Sequence, residues 1–290
     1  MSNLDEGVHS FTVDGTRQVY HVAGTGPVMI THSGGPGVDS SYLRSARLEE
    51  HFTMVYPEPV GTGDSGPLPA GATYVDTYVD FLHALVDHLG VPQVHLLGHS
   101  HGGFVAQRFA LLHPERVAGL ALYSTSPTTT PDFWEAERAA AAAYPQRHPD
   151  VPEAAQVLEA IGRSEPAQTD EEATKNLSAI LPVYFADWWG RRAEFKHLQD
   201  NIRSWITRFD SYEIDYRAEL PKIAARTVIV TGRHDFICGP VWAEMLHEGI
   251  AGSRLVILEN SGHFGQIEEP DEFLEAVTWL LRGPAPQSGE

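Results

Sequence analysis

The sequence predicts an α/β fold carrying a helical insertion, and three observations predict it. Short apolar runs alternate with amphipathic helical stretches up to about Ser126. The alternation then stops, leaves helical patterning alone, and resumes near Leu220. Between an apolar run, Val94–Leu97, and the helical stretch from Gly103 sits a glycine-flanked serine, Gly98-His99-Ser100-His101-Gly102. A buried strand, a sharp turn and a helix read in this way, with Ser100 exposed on the turn.

The elements follow in order. Residues 9–14 and 17–22 read as two strands around the turn signal Asp14-Gly15. Val28–His32 is the next strand and runs into Ser33-Gly34-Gly35-Pro36-Gly37, whose glycines and proline exclude helix and strand. Phe52–Tyr56 is a further strand, followed by a loop over 57–66. Gly61-Thr62-Gly63 lies in that loop, but the third glycine and the helix of a dinucleotide fingerprint are wrongly placed. Tyr74, Val75, Tyr78, Val79, Leu82, Leu85 and Val86 recur with helical spacing, which predicts a helix over 73–89 closed by Gly90. Arg116–Tyr123 is another buried strand.

From 126 to 220 the expected elements are helices, marked by the alanine-rich stretch 139–143 and amphipathic segments at 152–162, 171–181 and 197–209. Trp134, Trp188, Trp189 and Trp205 fall in this block, which makes Trp134, Trp188 and Trp189 candidates for lining a substrate pocket. The α/β rhythm returns with strands at Thr227–Val230 and Ser253–Leu258, and helices at 239–249 and 270–281. The tail 283–290 is expected to be disordered. The domain organisation is therefore a core formed by 1–125 and 221–290, with 126–220 inserted as a cap.

Composition narrows the function classes. Twenty basic against 39 acidic residues give a formal net charge of -19 in a chain of 290. Such a surface repels nucleic acid and anionic membrane, so neither is expected as a partner. No apolar run approaches the ~20 residues of a membrane span. The first residues carry no basic and apolar signal segment. Cys238 is the single cysteine, which excludes an intrachain disulfide and suits a reducing compartment, so the expected location is cytoplasmic. A small-molecule substrate is the expected partner, and monomer or homo-oligomer is left open.

A serine hydroxyl needs an adjacent base, and the base needs an orienting acid. Two loops at strand ends offer them: Thr231-Gly232-Arg233-His234-Asp235 and Glu259-Asn260-Ser261-Gly262-His263. In a parallel sheet both loops share the carboxyl edge with Ser100. Ser100 is then the nucleophile, His263 the base and Asp235 its partner, with Glu58 and Asp64 as rival acids. The oxyanion formed on attack needs two N–H donors, expected from the backbone of His101 and from the glycine loop, Gly35 first and Gly34 next. Phe264 beside the base is a further candidate for contact with substrate. His99 and His101 diverge across the turn and no carboxylate or cysteine completes a ligand set, so no metal is expected.

With those residues placed, the chain resembles the α/β-hydrolase superfamily over nearly its whole length, and most of all the proline-iminopeptidase-like serine hydrolases. The likeness rests on Gly34–Gly37, Gly61–Ser65, the Gly98–Gly102 turn, Gly232–Asp235 and Gly262-His263. It implies a mostly parallel eight-stranded sheet flanked by helices, a helical cap after the sixth strand, and hydrolysis through an acyl-enzyme without metal or organic cofactor. Three places depart from the iminopeptidase pattern: Ser33 at the head of the glycine loop, Glu58–Gly61 in place of Asp-Gln-Arg-Gly, and His99 and His101 around the serine. In that family cap glutamates hold the free amino terminus of the substrate; here Glu153, Glu159, Glu194 and Glu213 are available without a motif to choose among them. The expected function is hydrolysis of a small peptide, amide or ester. The alternatives are a carboxylesterase or lactonase of a secondary metabolite, a carbon–carbon bond hydrolase and, last, a non-catalytic small-molecule receptor.

Overall fold

The computed structural model describes residues 2–162 and 166–282; the tail 283–290, expected to be disordered, lies outside the described residues. Eight strands form one sheet: β1 (Gly7–Val13), β2 (Thr16–Ala23), β3 (Val28–His32), β4 (Thr53–Pro57), β5 (Val94–His99), β6 (Val117–Tyr123), β7 (Arg226–Gly232) and β8 (Arg254–Leu258). Their order is β1-β2-β4-β3-β5-β6-β7-β8. The β1–β2 and β2–β4 pairs are antiparallel, and every pairing from β4 through β3 to β8 is parallel.

Parallel strands joined by helices are covered on both faces, which is why β5 is buried at all six positions, His95 and His99 included. On one face, helices Asp76–Leu89, His101–Leu112 and Pro240–Gly249 bury Leu82, Val86, Phe109 and Leu246 against Ile30, Leu96 and Leu120. On the other, helix Pro270–Thr278 and the short helix Ala46–Glu49 close over Met29, Met54, Leu97 and Val228. The register aligns the carboxyl ends: His32 lies opposite Gly98, His99 opposite Tyr123, and Gly232 opposite Leu258. The loops that carry Ser33–Gly37, Ser100, Asp235 and His263 therefore emerge along one edge.

Between β6 and β7 the chain leaves the sheet. It forms helices Pro131–Ala142, Glu153–Ile161, Asp170–Ile180 and Trp188–Asn201 among shorter turns. One expectation is corrected here. The helix read over 197–209 begins at Trp188, where the Asp187 side chain accepts the Gly190 N–H at 2.9 Å, and it ends at Asn201. Residues after it run back to the glycine loop instead, with Ser204 bridged to Val38. The helix at 73–89 likewise starts later, at Asp76, and Gly90 closes it with a left-handed φ of 70°. The final helix stops at Thr278 and continues as a 3-10 turn over Trp279–Leu281.

Candidate active site

Ser100 occupies the turn between β5 and helix His101–Leu112 with φ 55° and ψ -118°, a conformation that costs a non-glycine residue of order 1–3 kcal/mol. The surroundings hold it there. A Cβ on Gly98 would stand 2.3 Å from the Gly102 carbonyl oxygen, and one on Gly102 would stand 2.1 Å from the His32 carbonyl oxygen. Strand, helix and neighbouring strand therefore meet backbone to backbone, and only glycine permits it. The Ser100 N–H donates to the Tyr123 carbonyl at 2.9 Å, and the Thr125 hydroxyl donates to the Ser100 carbonyl at 2.8 Å.

Asp235 and His263 come together from two other strand ends. His263 Nδ1 donates to Asp235 Oδ2 at 2.8 Å, and both residues are buried. Asp235 Oδ1 accepts the N–H groups of Cys238 at 2.9 Å and Ile237 at 3.1 Å. Burial acts to raise the Asp235 pKa, but the facing imidazole and these N–H donors outweigh it, so the carboxyl lies below its ordinary value. Asp235 is thus held as a carboxylate. Of the rival acids, Glu58 is engaged elsewhere, with Oε1 at 2.7 Å from His21 Nε2 and Oε2 accepting the Asp64 N–H. His234, beside Asp235, is exposed.

Ser100 and His263 face one cavity of about 240 Å³, smaller than the roughly 300–1,000 Å³ of drug-sized sites. The nucleophile–base hydrogen bond is not formed among the described residues, a contact that commonly tightens only in the substrate complex. The Gly34-Gly35-Pro36 loop forms one wall, and a Cβ on Gly34 would stand 3.1 Å from that of Ser100. His101 opens its helix, so its N–H has no partner within the helix and lies next to the nucleophile. The Gly34 N–H is taken: it donates to the Tyr42 hydroxyl at 2.7 Å.

The predicted contacts divide. Phe264 lines the cavity; Trp134, Trp188 and Trp189 do not. Trp134 packs against Phe133 beside Cys238 and Trp242. Trp188 is buried in a stack with Phe185 and Phe195, and Trp189 Nε1 donates to the Tyr144 hydroxyl at 2.9 Å. Their large apolar surfaces hold the inserted helices together, with about 0.5–1.5 kcal/mol per aromatic pair beyond simple burial. The cavity wall uses Leu177, Tyr184, Ile202 and Ile237 instead, none of which carries a sequence signal distinguishing it from core. The four acids considered as amine partners, Glu153, Glu159, Glu194 and Glu213, are all exposed. Among the described residues, no Asp, Glu, Lys or Arg lines the cavity, and no group of three or more His, Cys, Asp or Glu is placed to hold a metal.

A strained serine between β5 and its helix, with an Asp–His pair from the ends of β7 and β8, is matched by family: residues 27–270 fit the family described as alpha/beta hydrolase fold. The chain is an α/β-hydrolase. It is 26% identical over 296 residues to the proline iminopeptidase of Saccharolobus solfataricus, covering 95% of this chain and 91% of that one. It is 27% identical over 308 residues to the 2-hydroxy-6-oxononadienedioate/2-hydroxy-6-oxononatrienedioate hydrolase of Klebsiella pneumoniae subsp. pneumoniae, covering 96% and 94%. Its fold is similar to that of the enol-lactonase from Burkholderia xenovorans LB400, with a TM-score of 0.70 at 22% identity over 94% of this chain and 99% of that one. This α/β-hydrolase is a hydrolytic enzyme resembling the proline iminopeptidases, among relatives that cleave several kinds of bond. Among the described residues, none of its helices is long and apolar enough to cross a membrane.

Proposed function

We propose that this α/β-hydrolase works through Ser100, His263 and Asp235 and a covalent acyl-enzyme, on a small, uncharged carboxylic ester or lactone. The observation that carries the reading is the buried Asp235–His263 bond at 2.8 Å facing the same cavity as Ser100. His263 takes the proton of Ser100 as the hydroxyl attacks the carbonyl carbon. It returns that proton to the departing alkoxide as the acyl-enzyme forms. Water then attacks the acyl-enzyme by the same steps, releasing the acid and restoring Ser100. The His101 N–H is one oxyanion donor; with the Gly34 N–H already held by Tyr42, Gly35 supplies the other. The helical segment 126–220 is the cap that encloses the substrate.

The absence of charged side chains among the described lining residues supports an uncharged acyl group, since an isolated ammonium or carboxylate would be desolvated there without a partner. One observation favours a second reading, release of an amino-terminal residue from a small peptide. Glu137 is a half-buried carboxylate on helix Pro131–Ala142, raised in pKa by burial, and its charge acts on Tyr184 in the cavity wall. The buried Cys238, whose thiol burial pushes up, fits a cytoplasmic setting.

The test is hydrolysis of p-nitrophenyl acetate and butyrate beside prolyl-p-nitroanilide, with Ser100→Ala as control. Ester turnover that falls by at least roughly 10⁴-fold in Ser100→Ala is expected. Turnover of the prolyl amide alone moves the reading to the aminopeptidase and to Glu137. Ester turnover undiminished in Ser100→Ala would overturn the mechanism.

A further inference from the structure

Glu268 lies at the end of the short helix Gly265–Glu268, five positions beyond the base, and is 6% exposed. Its carboxylate reaches two different parts of the chain. Oε2 accepts the Gly262 N–H at 2.6 Å, and Gly262 directly precedes His263. Oε1 accepts the Ala186 N–H at 2.9 Å, and Ala186 belongs to the segment that enters helix Trp188–Asn201 of the inserted block. The two parts also touch directly. The His263 N–H donates to the Tyr184 carbonyl at 2.6 Å, and a Cβ on Gly262 would stand 2.3 Å from that same oxygen.

From this geometry we infer that Glu268 is a positioning residue that ties the cap to the loop of the catalytic base, and that the tie holds only while its carboxylate is ionised. The inference rests on the reading of His263 as the base. A carboxylate accepts strongly at both oxygens, whereas a carboxylic acid turns one oxygen into an O–H donor that accepts only weakly. Facing two N–H donors, protonated Glu268 loosens its hold on one of them, either the His263 loop or the cap.

The surrounding charges set where this happens. Burial raises the Glu268 pKa to about 7, opposed by the N–H groups of Gly262, Ala186 and Asp187 and by the Arg191 guanidinium. Arg191 faces it from helix Trp188–Asn201, where its Nη1 also donates to the Glu268 carbonyl at 3.3 Å. Asp187 lies beside Ala186, and Tyr123 approaches from β6. Glu269, the neighbour on its own segment, is engaged with Asn260 and Ser261. The folded chain therefore keeps a proton on Glu268 that the unfolded chain releases above the ordinary glutamate value of 4.5. Ionising it lowers stability as pH rises from there to about 7, while it completes the tie. Activity and stability move in opposite directions across this window.

Two measurements test the inference. The first is kcat and KM for p-nitrophenyl butyrate from about pH 5.5 to about pH 9 in the wild type and Glu268→Gln, an amide of the same shape that mimics the protonated form. At the alkaline end kcat should fall roughly tenfold with KM little changed, the size of one lost charge-assisted hydrogen bond. At the acid end the two proteins should converge. Parallel pH profiles would overturn the inference. The second measurement needs no turnover: the intrinsic fluorescence of Ser100→Ala with Trp134, Trp205, Trp242 and Trp279 replaced by Phe, which leaves Trp188 and Trp189, two and three positions beyond Ala186, as the emitters. A titration step near pH 7 that Glu268→Gln removes is expected. A flat trace between about pH 6 and 8 overturns the tie whether or not the triad assignment stands, and it needs only a chain that retains Glu268.

Discussion

The imidazole of His99 donates from Nε2 to the backbone carbonyl of His263 at 2.9 Å, joining the strand that leads into Ser100 to the loop of His263. The bond continues outward. The Tyr42 hydroxyl donates to His99 Nδ1 at 2.6 Å and accepts the Gly34 N–H at 2.7 Å. One relay therefore links the glycine loop, the strand before Ser100 and the loop of His263. Burial, with His263 close by, holds His99 well below its ordinary pKa, so the ring stays neutral and can donate at one nitrogen while accepting at the other.

Tyr42→Phe removes the donor to a buried acceptor and frees the Gly34 N–H. The expected result is a loss of about 1–3 kcal/mol in unfolding free energy and a several-fold fall in kcat, with KM nearly unchanged. Denaturant melts and steady-state kinetics on the ester substrate check both. A rise in kcat would mean that Tyr42 competes with substrate for the Gly34 N–H and that Gly34, not Gly35, is the donor.

Gly98→Ala probes the turn itself. Its new methyl group would meet the Gly102 backbone at 2.3 Å and Gly103 Cα at 2.7 Å, and neither can move without shifting the helix that carries His101. Overpacking of this kind costs about 1–3 kcal/mol, read as a lower denaturant midpoint at unchanged slope. Activity should fall further than stability does, because the displaced helix carries His101, whose N–H is the proposed oxyanion donor. Wild-type stability in Gly98→Ala would refute the close approach.

Acid should destabilise the protein below about pH 6.5. Burial lowers His101 to about 3 and His32 to about 4, so the folded chain leaves both rings neutral where the unfolded chain protonates them. More protons bound in the unfolded state means that stability falls as pH drops from about 6.5 to about 4. Glu268 acts in the opposite sense over part of this range, so the net slope is shallower than the two histidines alone would produce. His101→Phe keeps the backbone N–H beside Ser100 but removes one titrating ring. Its melting temperature should vary less with pH than that of the wild type, and thermal melts across the range decide it.

The meeting of Ser100, Asp235 and His263 at one sheet edge was legible because its signals are local. Gly98 and Gly102 announce a turn too tight for side chains, and Asp235 and His263 follow apolar runs that could only be parallel strands. Apart from a few helix boundaries, the alternation of strand and helix in the core was readable for the same reason: both periodicities are properties of adjacent residues. The cap was not. Trp188 and Trp189 carry the same composition signal whether they line a cavity or fill a core, and here they fill a core.

Sequence alone therefore determined the order of strands and helices, the strained serine and the three residues that meet at one sheet edge. Tertiary structure decided what surrounds them: Tyr42 on the Gly34 N–H, Tyr184 against His263, and Glu268 between the Ala186 and Gly262 N–H groups. The physical reason is range. Turn geometry and apolar periodicity act over a few residues. The Glu268 carboxylate gains its role only when Ala186, 82 residues away along the chain, brings its N–H group to one oxygen while Gly262 occupies the other, in a site dry enough for that placement to matter.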